Sequence, residues 1–336
     1  MAKSLAERDK AIIWHPYTQM KTVADPIGIV KGEGVYLIDE TGRKYIDAVS
    51  SWWVNLHGHS HPHIAKRVSE QLYTLEHAIF AGFTHSPAIE LAEGLLDILP
   101  ANQAKIFYSD NGSTAVEVAL KMCLQYWSNK GEPRKKVLAF NNSYHGDTFG
   151  AMSVSARSAF TAPFESLLFD VVYIDTPNAG NIEDLKAQIS NLKSQISSFI
   201  YEPLVQGSAG MLMYEAKYLD ELLDHCRQNN IFSIADEVMT GFGRTGKIFA
   251  SNYLINNPDI VCLSKGLTGG TMALGVTSCT QRIFDAFLSE DKLKTFFHGH
   301  SFTANPIACA AAIASLELTL QPETLENIHR ISDSHN

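Results

Sequence analysis

Between residues 105 and 264, short runs of β-branched and aromatic residues alternate with stretches of helical periodicity. This alternation restricts the chain to an α/β domain with a mostly parallel sheet. Strands are predicted at residues 105–109, 136–140, 171–174, 198–202, 231–235 and 260–264, with helices at 183–196 and 216–230. A further helix follows the first strand, because Val116, Ala119, Leu120, Cys123, Leu124 and Trp127 share one face. Residues 32–46 read instead as two short strands around an Asp39-Glu40-Thr41-Gly42 turn, outside the main sheet. The alanine-rich stretch 308–320 reads as a long helix.

Composition removes several function classes. Against 27 basic residues stand 36 acidic ones, net −9, so a nucleic acid would meet mainly repulsion. The densest basic run, Arg134-Lys135-Lys136, is short and reads as a turn before a strand. The five cysteines are odd in number and widely spaced, with no CxxC pair, which points to reduced thiols. The charged N-terminus does not resemble a secretory signal, and no apolar run approaches the roughly 18 to 20 residues that span a bilayer, so a cytoplasmic location is expected.

In open α/β sheets, ligands bind beyond the carboxyl ends of strands, so residues just after each predicted strand hold the candidate chemistry. After residue 109 comes Asp110-Asn111-Gly112-Ser113-Thr114, where a glycine and hydroxyls at a helix N-terminus present free N–H donors to a phosphate. A Thr114-to-Glu117 spacing there reads as a capping box. After 140 comes Asn142-Ser143-Tyr144-His145-Gly146-Asp147, with a flat ring in Tyr144. After 235 comes Asp236-Glu237-Val238, whose carboxylate needs a cation or donor if it is buried. Val238 is expected to point the same way as Asp236 on an extended chain. After 263 comes Ser264-Lys265-Gly266, a strand-end lysine suited to Schiff-base chemistry once desolvated. Each has an ordinary structural explanation taken alone. Together they make the set that pyridoxal phosphate needs: an amine for its aldehyde, a carboxylate for its ring nitrogen, donors for its phosphate and a stacking ring.

These motifs, with Gly241-Phe242-Gly243-Arg244-Thr245-Gly246 between the aspartate and the lysine, make the sequence similar to the class III, fold-type I pyridoxal phosphate aminotransferases. Ile13-Trp14-His15-Pro16-Tyr17-Thr18-Gln19-Met20, Ser50-Ser51-Trp52-Trp53-Val54-Asn55, Leu124-Gln125-Tyr126-Trp127 and Leu267-Thr268-Gly269-Gly270-Thr271-Met272 resemble its biotin-pathway branch in particular. That branch transaminates 8-amino-7-oxononanoate to 7,8-diaminononanoate with S-adenosylmethionine as amino donor. Two departures from the ornithine and 4-aminobutyrate branch agree with this: Glu202-Pro203-Leu204-Val205-Gln206-Gly207 is followed by Ser208 where that branch has a gating glutamate, and Met239 stands where it often has glutamine.

The resemblance implies a large domain with a seven-stranded-type, mostly parallel sheet over residues 51–320, and a small α+β domain begun by residues 1–50 and resumed at 321–336. It implies Lys265, Asp236 and Tyr144 as catalytic residues, and Gly112, Ser113, Tyr144, Asp236, Val238, Lys265 and Ser301 as cofactor contacts. Ser301, in His298-Gly299-His300-Ser301-Phe302, is expected to reach the phosphate bound by a neighbouring subunit, which implies a homodimer. Tyr17, Trp52, Trp53, Tyr144, Asp147, Arg244, Lys265 and Gly299 are the implied substrate contacts. Trp52 and Trp53 are expected to face opposite ways as strand neighbours. The family continues into a C-terminal domain that supplies an arginine for the substrate carboxylate, so a chain stopping at Asn336 is expected to hold a complete cofactor site and an incomplete substrate site. Alternatives are lysine as the donor or another class III omega-aminotransferase. From a different class comes a metal-binding module built on His57, His59, His61 and His63.

Overall fold

The computed structural model of the chain describes residues 3–335. Strands β1 (Ile29–Glu33), β2 (Tyr36–Asp39) and β3 (Lys44–Ile46) form a small antiparallel sheet, with the expected turn at 39–42 joining the last two. The main sheet contains β4 (Gln103–Ser109), β5 (Lys136–Phe140), β6 (Val171–Ile174) and β7 (Ile196–Tyr201). A short ribbon of β8 (Val205–Gln206) and β9 (Leu212–Met213) intervenes, and β10 (Phe232–Asp236), β11 (Ile260–Leu263) and β12 (Gly275–Thr280) complete the sheet. Its order is β4-β12-β11-β10-β7-β5-β6, with every strand parallel except β12.

All six expected main-sheet strands are present, to within two residues at each end. The register sets their carboxyl ends side by side: Asp236 lies opposite Cys262, Phe140 opposite Ile174, and Ser109 opposite Gly275 at the start of β12. Loops that leave β4, β5, β7, β10 and β11 therefore emerge on one edge.

β12 was not among the expected strands. Its residues Gly-Val-Thr-Ser-Cys-Thr are small and hydroxyl-rich, yet every one is buried; Thr277 Oγ1 donates to Ala115 O at 2.8 Å and Ser278 Oγ to Gln103 Oε1 at 2.7 Å, while Thr280 Oγ1 has no partner among the described residues. Satisfied hydroxyls remove the cost that keeps such residues at the surface. The helix expected at 183–196 is Ile182–Leu192, since Ile196 is taken into the buried strand β7. Helices Pro62–Thr74 and Ser86–Ile98 lie outside the stretches assigned from sequence.

Both faces of the sheet are covered, as parallel strands require. Helix Gly112–Asn129 packs Val116, Ala119 and Cys123 with Ile200, Ile234 and Cys262 on one face. Helices Ile182–Leu192 and Ala216–Gln228 cover Leu138, Phe199 and Tyr201 on the other. A third cluster joins helices Ser86–Ile98 and Pro306–Thr319 to Val261, Leu263 and Val276. All five cysteines are buried and unpaired with one another, in line with the reduced thiols expected. No described helix is long and apolar enough to cross a membrane.

Three of the four histidines at 57–63 take separate partners, and His61 Nδ1 is buried with none among the described residues. His57 Nε2 meets Ser315 Oγ at 3.0 Å, His59 Nε2 meets Asp47 Oδ2 at 2.9 Å and His63 Nε2 meets Glu317 Oε2 at 2.6 Å, while His61 precedes the helix Pro62–Thr74. Burial pushes His57 down to about 4. Among the described residues, no group of three His, Cys, Asp or Glu side chains has an arrangement that could hold a metal.

Candidate active site

Lys265 follows β11 and opens a short 3₁₀ turn, Lys265–Thr268, with its own backbone at φ 47. A non-glycine residue in this left-handed region costs on the order of 1–3 kcal/mol and persists only where its surroundings enforce it. Ser264 Oγ anchors the turn by donating to Leu274 O at 2.7 Å. The Lys265 amine stands 5.0 Å from the centre of the Trp53 ring. Burial lowers its pKa; the carboxyls of Asp236 and Glu202 oppose the shift and the charge of Arg244 adds to it. More of the amine is therefore the uncharged nucleophile near neutral pH than for an ordinary lysine.

Asp236 ends β10 at 5% exposure. Its Oδ2 lies 2.7 Å from His145 Nδ1, and its Oδ1 accepts the N–H of Val238 at 3.1 Å. A carboxylate can only accept, so that imidazole nitrogen carries the hydrogen. His145 Nε2 is buried with no partner among the described residues. The acid is thus fixed by one ring from the loop after β5, a contact that strand-end reading did not foresee.

Val238 sits in a turn rather than on an extended chain, which corrects the strand-based reason given for its direction. It nevertheless meets the other part of the site: a Cβ on Gly112 would lie 2.7 Å from Val238 Cγ1, so only glycine lets the helix start come this close. The cap is also corrected. Asn111, not Thr114, is the N-cap: Asn111 Oδ1 accepts Thr114 N–H and Thr114 Oγ1 accepts Asn111 N–H, each at 3.0 Å. Glu117 is free of capping and accepts Gly150 N–H at 2.7 Å. Gly146, at φ 127, brings the loop after β5 against the helix start, where a Cβ would fall 2.0 Å from Ser113 Oγ. Gly112 and Ser113 at this N-terminus fit a phosphate, beside the acid and the lysine.

At the mouth, Tyr144 Oη donates to Asp147 Oδ2 at 3.0 Å and lies 3.2 Å from Tyr17 Oη, which itself donates to Asp147. Burial, the bond with Tyr17 and the charge of Asp147 push the Tyr144 phenol upward, so it stays a donor. Tyr17 also packs edge-on against Trp52 at 5.6 Å and Phe160 at 6.2 Å; Phe160 had no sequence signal.

Trp52 and Trp53 are not on a strand. Ser50, Ser51, Trp52 and Trp53 all have φ between 47 and 67, forming one left-handed turn. Left-handed helix costs roughly 1–2 kcal/mol per residue. Asp47 offsets part of this by accepting Ser51 N–H at 2.9 Å and Ser51 Oγ at 2.7 Å. The turn sends Trp52 to Tyr17 and Trp53 to Lys265, so both indoles line the same mouth.

Arg244 is exposed and makes no ion pair among the described residues. Gly299 and Ser301 are exposed on a loop tied back through His300 Nδ1, which is 3.4 Å from Asp110 Oδ2. Among the described residues, no hydrogen bond joins either to Lys265 or Asp236.

The chain is similar to known proteins of one family. Residues 18–335 match the family model for aminotransferase class-III. A curated adenosylmethionine-8-amino-7-oxononanoate aminotransferase from Synechococcus elongatus is 50% identical over 96% of this chain and 78% of its own length. One from Staphylococcus aureus is 39% identical over 99% and 78%. The crystal structure of the enzyme of that name from Methanocaldococcus jannaschii superposes with a TM-score of 0.94 at 40% identity, covering 97% of this chain and 77% of that one. A PLP-bound amine transaminase from an uncultivated Pseudomonas species reaches 0.86 at 34% identity, covering 91% and 74%.

Proposed function

Because the chain belongs to the class-III aminotransferases, we propose that Lys265 is the amine that attaches the cofactor and moves the proton, with Asp236 and Tyr144 beside it. The enzyme is a pyridoxal phosphate-dependent aminotransferase of biotin biosynthesis, converting 8-amino-7-oxononanoate to 7,8-diaminononanoate. When bound, the cofactor supplies an aldehyde and an electron-withdrawing ring that stabilises negative charge on the substrate carbon. The observation that carries the residue roles is the desolvated, left-handed Lys265 sharing a strand edge with the His145-braced carboxylate of Asp236.

On this reading Lys265 Nζ acts as general base and then general acid at the substrate carbon. Asp236 would hold the ring nitrogen's proton, and His145 keeps Asp236 aimed. Gly112 and Ser113 would take the phosphate at the helix start, and Tyr144 and Val238 would contact the ring. Tyr17, Trp52 and Trp53 receive the aliphatic keto acid, and their π faces also suit the sulfonium of S-adenosylmethionine. Asp147 attracts the cationic donor, and unpaired Arg244 is available to an anionic group. Residues 51–320 form the cofactor domain, with 1–50 and 321–336 belonging to the small one.

S-adenosylmethionine is the proposed donor, in a two-stage reaction where it leaves its amino group before the keto acid arrives. Rapid mixing of the cofactor-loaded enzyme with each donor tests this. The visible band should be lost with S-adenosylmethionine and persist with lysine; the reverse would reassign the donor.

The enzyme is further proposed to work as a cytoplasmic homodimer, Gly299 and Ser301 completing the neighbouring site. Their exposure within one chain, beside exposed Phe297 and Phe302, supports this. Sedimentation should give twice the mass of 37.1 kDa; a fully active monomer would remove the shared site.

A further inference from the structure

Behind Tyr144 stands a carboxyl with no part in the chemistry above. Glu202 follows β7 directly and is 6% exposed. Its two oxygens serve segments far apart in the chain. Oε1 accepts the backbone N–H of Tyr144 at 3.0 Å, and Oε2 accepts that of Gly207, after β8, at 2.9 Å. The Glu202 backbone is itself held, since its carbonyl accepts the hydroxyl of Tyr214 at 2.5 Å. The turn that brings Gly207 back is tight, with Leu204 at φ 65.

We infer that Glu202 is a positioning residue for Tyr144: its ionised carboxyl holds the Tyr144 and Gly207 segments together, and its protonation releases one of them. The inference rests on Tyr144 facing the cofactor, as proposed above. An ionised carboxylate accepts at both oxygens, but a carboxylic acid presents a hydroxyl hydrogen at one of them. That hydrogen would meet an amide N–H, donor against donor, so one of the two bonds breaks.

Burial pushes the Glu202 carboxyl up to about 7, with Asp236 adding to the rise and His145 and the two amides opposing it. The ionisable groups facing it are His145 from the loop after β5, Asp236 at the end of β10, Lys265 after β11 and Tyr214 after β9. The clamp therefore changes state in the range where a cytoplasmic enzyme works. Its effect on stability has the opposite sign. A carboxyl raised in the folded state favours the protonated fold, so this contribution is full below the ordinary carboxylate range and is lost as pH rises through about 7. Alkaline conditions tighten the site while weakening the fold.

The dipeptides Ser143-Tyr144 and Gln206-Gly207 each occur once in the sequence. Carbonyl-labelled serine with nitrogen-labelled tyrosine, and carbonyl-labelled glutamine with nitrogen-labelled glycine, thus isolate one amide resonance for Tyr144 and one for Gly207. In the cofactor-loaded enzyme, titrated across roughly pH 5.5 to 8.5, the two resonances should move together with one midpoint. In Glu202→Gln both should stay fixed. That variant, which permanently lacks one of the two bonds, should behave at every pH as the wild type does on the acid side. Its cofactor dissociation constant should lie roughly tenfold above the alkaline wild-type value. Static resonances, independent midpoints, or movement that persists in the variant would overturn the inference. The wild-type titration stands alone if the variant does not fold. It is also read without turnover, so a rigid Glu202 and a failure of the proposed catalytic roles give different results.

Discussion

Lys265→Ala enzyme should bind pyridoxal phosphate without the spectral change that marks attachment to a protein amine, and should show no half-reaction with either amino donor. Two functions are removed together. No other lysine occupies a strand end in this site, and a general acid–base group contributes about 10²–10⁴-fold by itself. With the covalent anchor gone as well, the loss should exceed about 10⁴-fold. The surroundings of Lys265 leave little room for rescue. Its backbone is held at φ 47 and its amine is desolvated beneath Trp53, so no neighbouring lysine is placed to supply an amine there. Stopped-flow spectra with each donor provide the measurement, and rapid transamination by the variant would take Lys265 out of its role.

The second large effect is expected for Asp236→Asn. The substitution keeps the shape and removes the charge from a carboxyl that is 5% exposed and paired with His145 at 2.7 Å. If an interaction of about 3–5 kcal/mol with the ring nitrogen is lost from the transition state, the half-reaction should slow by about 10²–10⁴-fold. Cofactor should also be retained less tightly on dialysis. A variant with wild-type kinetics would mean that the ring nitrogen is not met by this carboxylate. Comparison with His145→Asn, which keeps a donor near the position of Nδ1, separates the charge of Asp236 from its orientation.

Asp236, Lys265 and the Gly112-Ser113 pair were legible for one reason: each lies at a strand end, and strand ends show in the hydrophobic pattern. Glu202 occupies the same kind of position after β7 but has no reactive partner in sequence, and only the structure reveals the two amides it joins. His145, in the loop after β5, carries no strand-end signal, and only its burial against Asp236 reveals its part in the site. The turn at residues 50–53 was not legible at all. Asp47, itself held by His59 at 2.9 Å, offsets part of the backbone's left-handed cost there, and none of this leaves a local signature. β12 escaped because its burial depends on partners for hydroxyl groups rather than on apolar character.

The placement of β12 also bears on the order in which the molecule is made. β4 has a single neighbour in the sheet, and that neighbour is β12. During translation at about 5–20 residues per second, the ribosome delivers Ser109 on the order of ten to thirty seconds before Gly275. β5, β6, β7, β10 and β11 can pair in the meantime, while β4 has helix contacts but an unmatched backbone on both edges. The nascent chain thus carries a bare edge strand while the segment between β4 and β12 is made, the kind of surface that chaperones bind. The loop after β4, which carries Gly112 and Ser113, can take its final place only when β12 slots in, so the phosphate end of the site is the last part of the sheet to be assembled.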